Sequence, residues 1–220
     1  MSLKVIVTGS TGMVGEGVLL TCLNSPEISD VLSVSRKPVG ISHPKLQECL
    51  VQDFLHLEDF ESRLTGYDAC FYCAGVSSAG MTEETYTRIT YDTAINFAVT
   101  VQRLNPNMVL THISGLYTDG TEKGNVMWAR VKGKAENALM RLPFRAVYNF
   151  RPGFMSPVKG QQHLKTLYRV LLTLTPLVRL LFPAHLLTLD EVGRAMINAV
   201  LTGYEKQVLE IADIRKLASR

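Results

Sequence analysis

The stretch K-V-I-V-T-G-S-T-G-M-V-G-E-G-V-L-L-T-C-L at residues 4–23 decides the fold. Residues 4–8 are a short apolar run of the kind that forms a buried strand, and residues 13–23 carry helix formers behind a cluster of glycines. Between them the spacing of Gly9, Gly12 and Gly15 is that of a phosphate-binding turn. Gly9 permits the tight turn out of the strand, Gly12 offers no side chain to obstruct a pyrophosphate, and Gly15 lets the helix lie against the sheet. Ser10, Thr11, Met13 and Val14 complete the loop. The positive end of the helix dipole then faces the anion. Strand before and helix after turn three glycines into a dinucleotide-binding expectation.

The next strand indicates which dinucleotide. Residues 31–34 form another apolar run, and about 20 residues past such glycines an NAD-selective site presents Asp or Glu to the ribose 2′-hydroxyl. Here the chain presents Ser35-Arg36-Lys37. A carboxylate would repel a 2′-phosphate, whereas the Arg36 guanidinium pairs with it and stacks on adenine. The expectation is NADP(H) over NAD(H); the alternative is a solvated Arg-Lys pair at a strand end.

Short apolar runs alternate with segments of helical period along the remainder, the pattern of a doubly wound α/β fold with a parallel sheet and helices on both faces. Strands are expected near 3–8, 31–35, 46–51, 68–74, 107–113, 144–150 and 207–211, and helices near 13–23, 56–64, 82–104, 126–141, 164–182 and 189–202. Thr82 is a helix N-cap, and Thr188-x-x-Glu191 a capping box with Leu187 and Val192 as its staple and Gly203 as the stop. The chain of 220 residues suits one domain, 1–220, in which 154–205 form a small helical substrate-side portion.

With 46% hydrophobic and 20% charged residues, the composition excludes a disordered chain. A net charge of +3 gives no case for nucleic acid, since a solvated helix face explains most of the cluster Lys123, Arg130, Lys132 and Lys134. A strand starting by Leu3 leaves no room for a leader, and four cysteines without metal-site spacing suit a reducing compartment, so a cytoplasmic protein without bound metal is expected. Cys70 and Cys73 lie three apart on a strand and so face opposite sides, which excludes a dithiol pair. Residues 164–182 are strongly apolar, but only nine uncharged residues separate Arg169 from Arg179, far short of the ~20 a transmembrane helix needs. Core packing is the first reading; an apolar substrate, a second subunit of a homo-oligomer or a membrane surface are the others.

The blocks V-T-G-S-T-G-M-V-G at 7–15, S-R at 35–36, D-F at 53–54, C-A-G at 73–75, S-G at 114–115, W-A-R-V-K-G at 128–133 and R-P-G at 151–153 occur in an order that resembles the short-chain dehydrogenase/reductase superfamily. The resemblance is to its small atypical branch, the NAD-dependent epimerase/dehydratase-like or NAD(P)-binding Rossmann proteins. It implies that Asp53 accepts from the adenine amino group and Phe54 lines the ring. It also implies that Cys73, Ala74 and Gly75 pass beneath the cofactor and that Pro152 and Gly153 border the nicotinamide.

The resemblance further implies a Ser, then a Tyr and a Lys spaced Y-x-x-x-K, so that the ammonium lowers the phenol pKa and holds the nicotinamide ribose. Ser114 and Lys132 stand in matching places; Trp128 stands at the Tyr position. An indole N–H does not exchange its proton as a phenol does, so Trp128 cannot act as the general acid. Tyr117 is the nearest phenol in sequence, more simply read as a loop aromatic, and His112 reads as a packed strand residue. The expected function is an NADP(H)-dependent oxidoreductase acting on a small, rather apolar carbonyl or alcohol. The alternative is an NADP(H)-binding sensor or interaction protein with little turnover. Nucleotide-sugar epimerisation is disfavoured because little chain follows Pro152 to build a substrate domain.

Overall fold

The computed structural model describes residues 2–162 and 186–220. The expected helix over 164–182 falls outside them. Seven parallel strands form one sheet: β1 (Leu3–Thr8), β2 (Ile28–Ser35), β3 (Leu46–Leu50), β4 (Ala69–Tyr72), β5 (Val109–Ile113), β6 (Ala146–Phe150) and β9 (Val208–Leu209). Their spatial order is β3-β2-β1-β4-β5-β6-β9, so the winding reverses between β1 and β4, and the carboxyl ends of these two strands flank the crevice of a doubly wound sheet. β7 (Phe154–Ser156) and β8 (Leu186–Thr188) form a separate two-stranded parallel pair.

Alternation along the strands feeds two apolar layers. Val5, Val7 and Phe71 point to one side, where they meet α1 (Met13–Asn24), α6 (Leu189–Thr202) and α7 (Ile211–Ala218) through Val18, Cys22, Met196 and Leu217. Ile6, Cys70 and Leu110 point to the other and meet α4 (Thr93–Leu104) and α5 (Met127–Met140) through Phe97, Val101 and Leu139. Cys70 therefore packs in one layer and Cys73 against the other, as their spacing on a strand requires.

The expected caps are present. Thr82 Oγ1 accepts from Thr85 N–H at 3.2 Å, opening α3 (Glu83–Thr87), which continues through a π turn at Arg88–Asp92 into α4. Thr188 and Glu191 form the capping box of α6, with Leu187 and Val192 buried beside it and Gly203 ending it at φ 68°. That helix packs on α1, where Leu189 fills the space over Gly17. A short 3₁₀ turn, Glu58–Phe60, leads into α2 (Glu61–Leu64). The last strand is shorter than expected, because Glu210 caps a helix: its side chain and that of Asp213 form a second capping box, and Ile211, Ile214 and Leu217 bury one face of α7.

Candidate functional site

The first βα turn is built as its glycines require. Gly9 sits at φ 71°, and a Cβ there would lie 2.7 Å from the backbone of Cys73 and Ala74. Thr8 Oγ1 accepts from both Cys73 N–H and Ala74 N–H at 3.1 Å, which locks the end of β1 to the end of β4. A Cβ on Gly15 would overlap the Gly9 carbonyl, so only glycine lets α1 approach this closely. Gly12 is the N-cap of α1, is exposed, and provides no side-chain cap; its N–H donates to Gly9 O at 2.9 Å. The first-turn N–H groups of this twelve-residue helix thus have no capping side chain. Past the end of β4, Gly75 is exposed, with nothing within 4 Å of where its Cβ would stand. A paired-phosphate group fits this cradle.

The other expected cofactor residues lie on the same carboxyl edge of the sheet. Arg36 is exposed just past β2, the neighbour of β1, and no ion pair holds its guanidinium among the described residues. Asp53 is half-exposed; its Oδ1 accepts from Leu55 N–H at 2.9 Å. Phe54 packs on Phe97 with ring centroids 5.2 Å apart, and its carbonyl accepts from Asn96 Nδ2 at 2.8 Å. Pro152 is buried beyond β6, and its carbonyl accepts from Leu116 N–H at 3.2 Å.

Ser114, Trp128 and Lys132 come together around Gly115. A Cβ on Gly115 would meet Lys132 Cδ and a carbon of the Trp128 six-membered ring at 3.9 Å each, and Thr118 Oγ1 at 4.0 Å. Ser114 is buried, with Oγ 3.0 Å from Thr118 Oγ1. Thr118 spends its single hydroxyl proton on Gly115 O at 2.8 Å, so Ser114 donates to Thr118 and keeps its lone pairs for another group. Burial pulls the Lys132 ammonium below the usual lysine range, and Glu136, one turn further along α5, opposes that shift. His112 is held neutral: burial and the Lys132 charge lower its pKa to about 4, against the opposing hydrogen bond to Asn149 Oδ1 at 2.9 Å. Asn149 Oδ1 can only accept, so His112 carries its proton on Nδ1. Tyr117 is exposed at φ 66°, in the left-handed region.

Two supports escaped the motif reading. Arg151 grips the buried Glu136 carboxylate bidentately at 3.0 and 2.6 Å and reaches Glu210 at 3.2 Å, tying β6, α5 and the start of α7. Its block R-P-G was visible, but its partner Glu136 is signalled only by standing four residues after Lys132. Gly133 is the other: a Cβ there would overlap the Asp119 carbonyl, so this glycine seats the loop after β5 on α5. Asp119 folds that loop by accepting from Thr121 and Gly124 N–H, and the Thr121 hydroxyl, first among these bonds, holds its carboxyl below the usual range. No group of three or more His, Cys, Asp or Glu residues is placed to hold a metal among the described residues.

Sheet order and crevice together define a Rossmann-type architecture, the fold of the short-chain dehydrogenase/reductase superfamily that the sequence resembles. The chain is similar in structure to a double mutant of DesIV, the dTDP-glucose 4,6-dehydratase of Streptomyces venezuelae, with NAD bound: 15% identity, 99% of this chain and 79% of that one, TM-score 0.71. It is likewise similar to a glucuronic acid dehydrogenase from Chromohalobacter salexigens, at 16% identity over 96% of this chain and 76% of the other, TM-score 0.69. The reductase domain of PhqB from Penicillium fellutanum matches at 19% identity, 97% and 68% coverage and TM-score 0.68. The likeness is one of fold. No family model matches the chain.

Proposed function

We propose that this protein binds NADP(H) and transfers hydride between it and a small, rather apolar carbonyl or alcohol. The observation that carries the reading is the uncapped N-terminus of α1 at Gly12, set against the Cys73–Ala74 strand end by Gly9 and Gly15. Solved structures of like fold are described as bound to NAD, which supports a nicotinamide dinucleotide. In this reading Ser10, Thr11, Met13 and Val14 wrap the pyrophosphate, and Arg36, held by no ion pair among the described residues, takes the 2′-phosphate. Asp53 has a second carboxylate oxygen to accept from the adenine amino group, and Phe54 lines the ring. Cys73, Ala74 and Gly75 floor the site, and Pro152 and Gly153 border the nicotinamide.

When bound, the cofactor supplies the hydride; the protein supplies position. Lys132 holds the nicotinamide ribose, its depressed pKa reflecting a dry setting for that contact. Ser114 accepts from a substrate hydroxyl, or turns its proton from Thr118 to a carbonyl oxygen. Trp128 packs an apolar wall beside Gly115 and moves no proton. Residues 154–205 are read as the substrate-side portion of a single domain, of which 163–185 lie outside the described residues. A cytoplasmic location is in keeping with four free thiols.

A second reading has one specific support. Trp128 in place of the motif Tyr favours a dinucleotide-binding sensor or interaction protein with little turnover. Following NADPH absorbance over a panel of aldehydes, ketones and quinones separates the two. Substrate-dependent oxidation supports the oxidoreductase; NADPH binding without oxidation of any panel member supports the sensor.

A further inference from the structure

The chain just past the ends of β5 and β6 displays two exposed aromatic side chains. Phe154 is 68% exposed and Tyr117 is 76% exposed. Tyr117 occupies the third position of a four-residue turn closed by Thr118 N–H to Gly115 O at 3.1 Å, at φ 66°. Glycine or asparagine is the residue this position favours, and a tyrosine there is strained. Hydrogen bonds from Ser114 to Thr118 and from Thr118 to Gly115 hold the turn in place regardless. Strain that is maintained beside a candidate site points to use of the side chain it displays.

The two aromatics belong to one rim. β5 and β6 run parallel in register from Val109↔Ala146 to Ile113↔Phe150. The pairing continues past the sheet through Ser114 N–H to Phe150 O at 2.8 Å and Leu116 N–H to Pro152 O at 3.2 Å. Tyr117 and Phe154 follow on these two chains, one and two residues past the Leu116–Pro152 bond. On the β5 chain, two residues before Tyr117, Gly115 lies beside both the Trp128 ring and Lys132. An aliphatic substrate needs no such set, since leucine or valine would serve it without backbone strain. Flat aromatic side chains gain most from a flat π-face, by offset or edge-on stacking.

We propose that the substrate is a flat aromatic ketone or aldehyde, held between Tyr117 and Phe154 with its carbonyl directed inward to Ser114 and its ring toward Trp128. The proposal rests on the NADP(H) reading and narrows the carbonyl class within it. Reduction moves a hydride from NADPH to the carbonyl carbon and a proton from solvent water to its oxygen, giving the aryl carbinol, NADP⁺ and hydroxide.

Trp128 is the one tryptophan of the chain, so its fluorescence reports on this site alone. The protein is first titrated calorimetrically with NADP⁺. The saturated complex, which cannot reduce a ketone, is then titrated with 2-acetonaphthone and with its ring-saturated decalin analogue, reading heat and saturable Trp128 quenching. The expected result is at least tenfold tighter binding of the naphthyl ketone. That preference should be lost in Tyr117→Ala and Phe154→Ala, retained in Tyr117→Phe, and accompanied by unchanged NADP⁺ affinity in all three. Equal affinity for the two ketones, binding of neither, or a preference untouched by both alanine variants overturns the proposal while leaving the cofactor reading intact. Failure of the first NADP⁺ titration overturns the cofactor reading itself, and the substrate proposal with it.

Discussion

Replacing Gly12 by valine separates binding from folding at the phosphate turn. Gly12 has φ −114° and ψ 161°, an extended conformation that valine adopts readily, so the backbone is not strained. Its Cβ would meet only the Gly9 carbonyl oxygen, at 3.3 Å, a contact relieved by a shift of a few tenths of an ångström. The stiffer unfolded chain returns about 0.4–1 kcal/mol, so stability should stay within ~1 kcal/mol of the parent. Binding is another matter. The branched side chain would stand where the pyrophosphate must approach the first-turn N–H groups, and losing two charge-assisted hydrogen bonds at about 1.5–3 kcal/mol each removes ~3 kcal/mol or more. At about 1.4 kcal/mol per tenfold, NADPH affinity should fall at least ~100-fold. Gly15→Val is the contrast: its Cβ would overlap the Gly9 carbonyl and lie 2.9 Å from Ser10 N, so it should cost about 2 kcal/mol or more of stability through overpacking. Calorimetric titration with NADPH and urea unfolding of each variant supply both quantities. A Gly12→Val protein that folds normally and binds NADPH within threefold of the parent would refute the loop assignment.

Arg36→Asp should reverse cofactor preference, because a carboxylate repels the 2′-phosphate and suits a free 2′-hydroxyl; a variant that still prefers NADPH shows that another group reads the phosphate. Trp128→Tyr should leave ketone reduction unchanged or reduced if Trp128 is a working wall of the site, and a clear gain over several simple ketones would mean it only fills a lost tyrosine's place. His112 carries a pH signature. Its folded pKa of about 4 lies below the unfolded value near 6.5, so the unfolded chain binds the extra proton and stability falls as pH drops through that window, by on the order of 3 kcal/mol. His112→Gln should flatten the difference between urea midpoints at pH 4.5 and 6.5, with both pH values set at about the ends of that window; an unchanged difference would assign it to carboxylates instead.

Much of the fold was legible because a parallel sheet buries its strands on both faces, and such strands stand out as apolar runs. The residue types at Thr82, Thr188, Glu191 and Gly203 marked helix ends because capping is local chemistry, and all four act as expected. The helix Ile211–Ala218 was missed although Ile211, Ile214 and Leu217 recur at helical spacing, because its cap is Glu210 with Asp213, an acidic pair in place of the usual Ser or Thr. β7 and β8 are three residues each, too short for any period to show. At the site, glycine spacing foretold a turn because each glycine answers a local steric demand. The grip of Arg151 on Glu136 is non-local: nothing in either residue's neighbourhood names its partner, and the register of β6 beside α5 creates the pair. Tyr117 shows the same limit, since its left-handed backbone follows from hydrogen bonds made by Ser114 and Thr118 and from no turn-forming residue type at 117.

If the β1–α1 turn and Arg36 act as proposed, this chain binds NADP(H) in preference to NAD(H). Titrating the purified protein with NADPH and NADH in parallel by calorimetry tests it most directly. The account predicts a single site that binds NADPH at least tenfold more tightly than NADH. Equal affinities would contradict the assignment of Arg36, and absence of binding to both would contradict the claim as a whole.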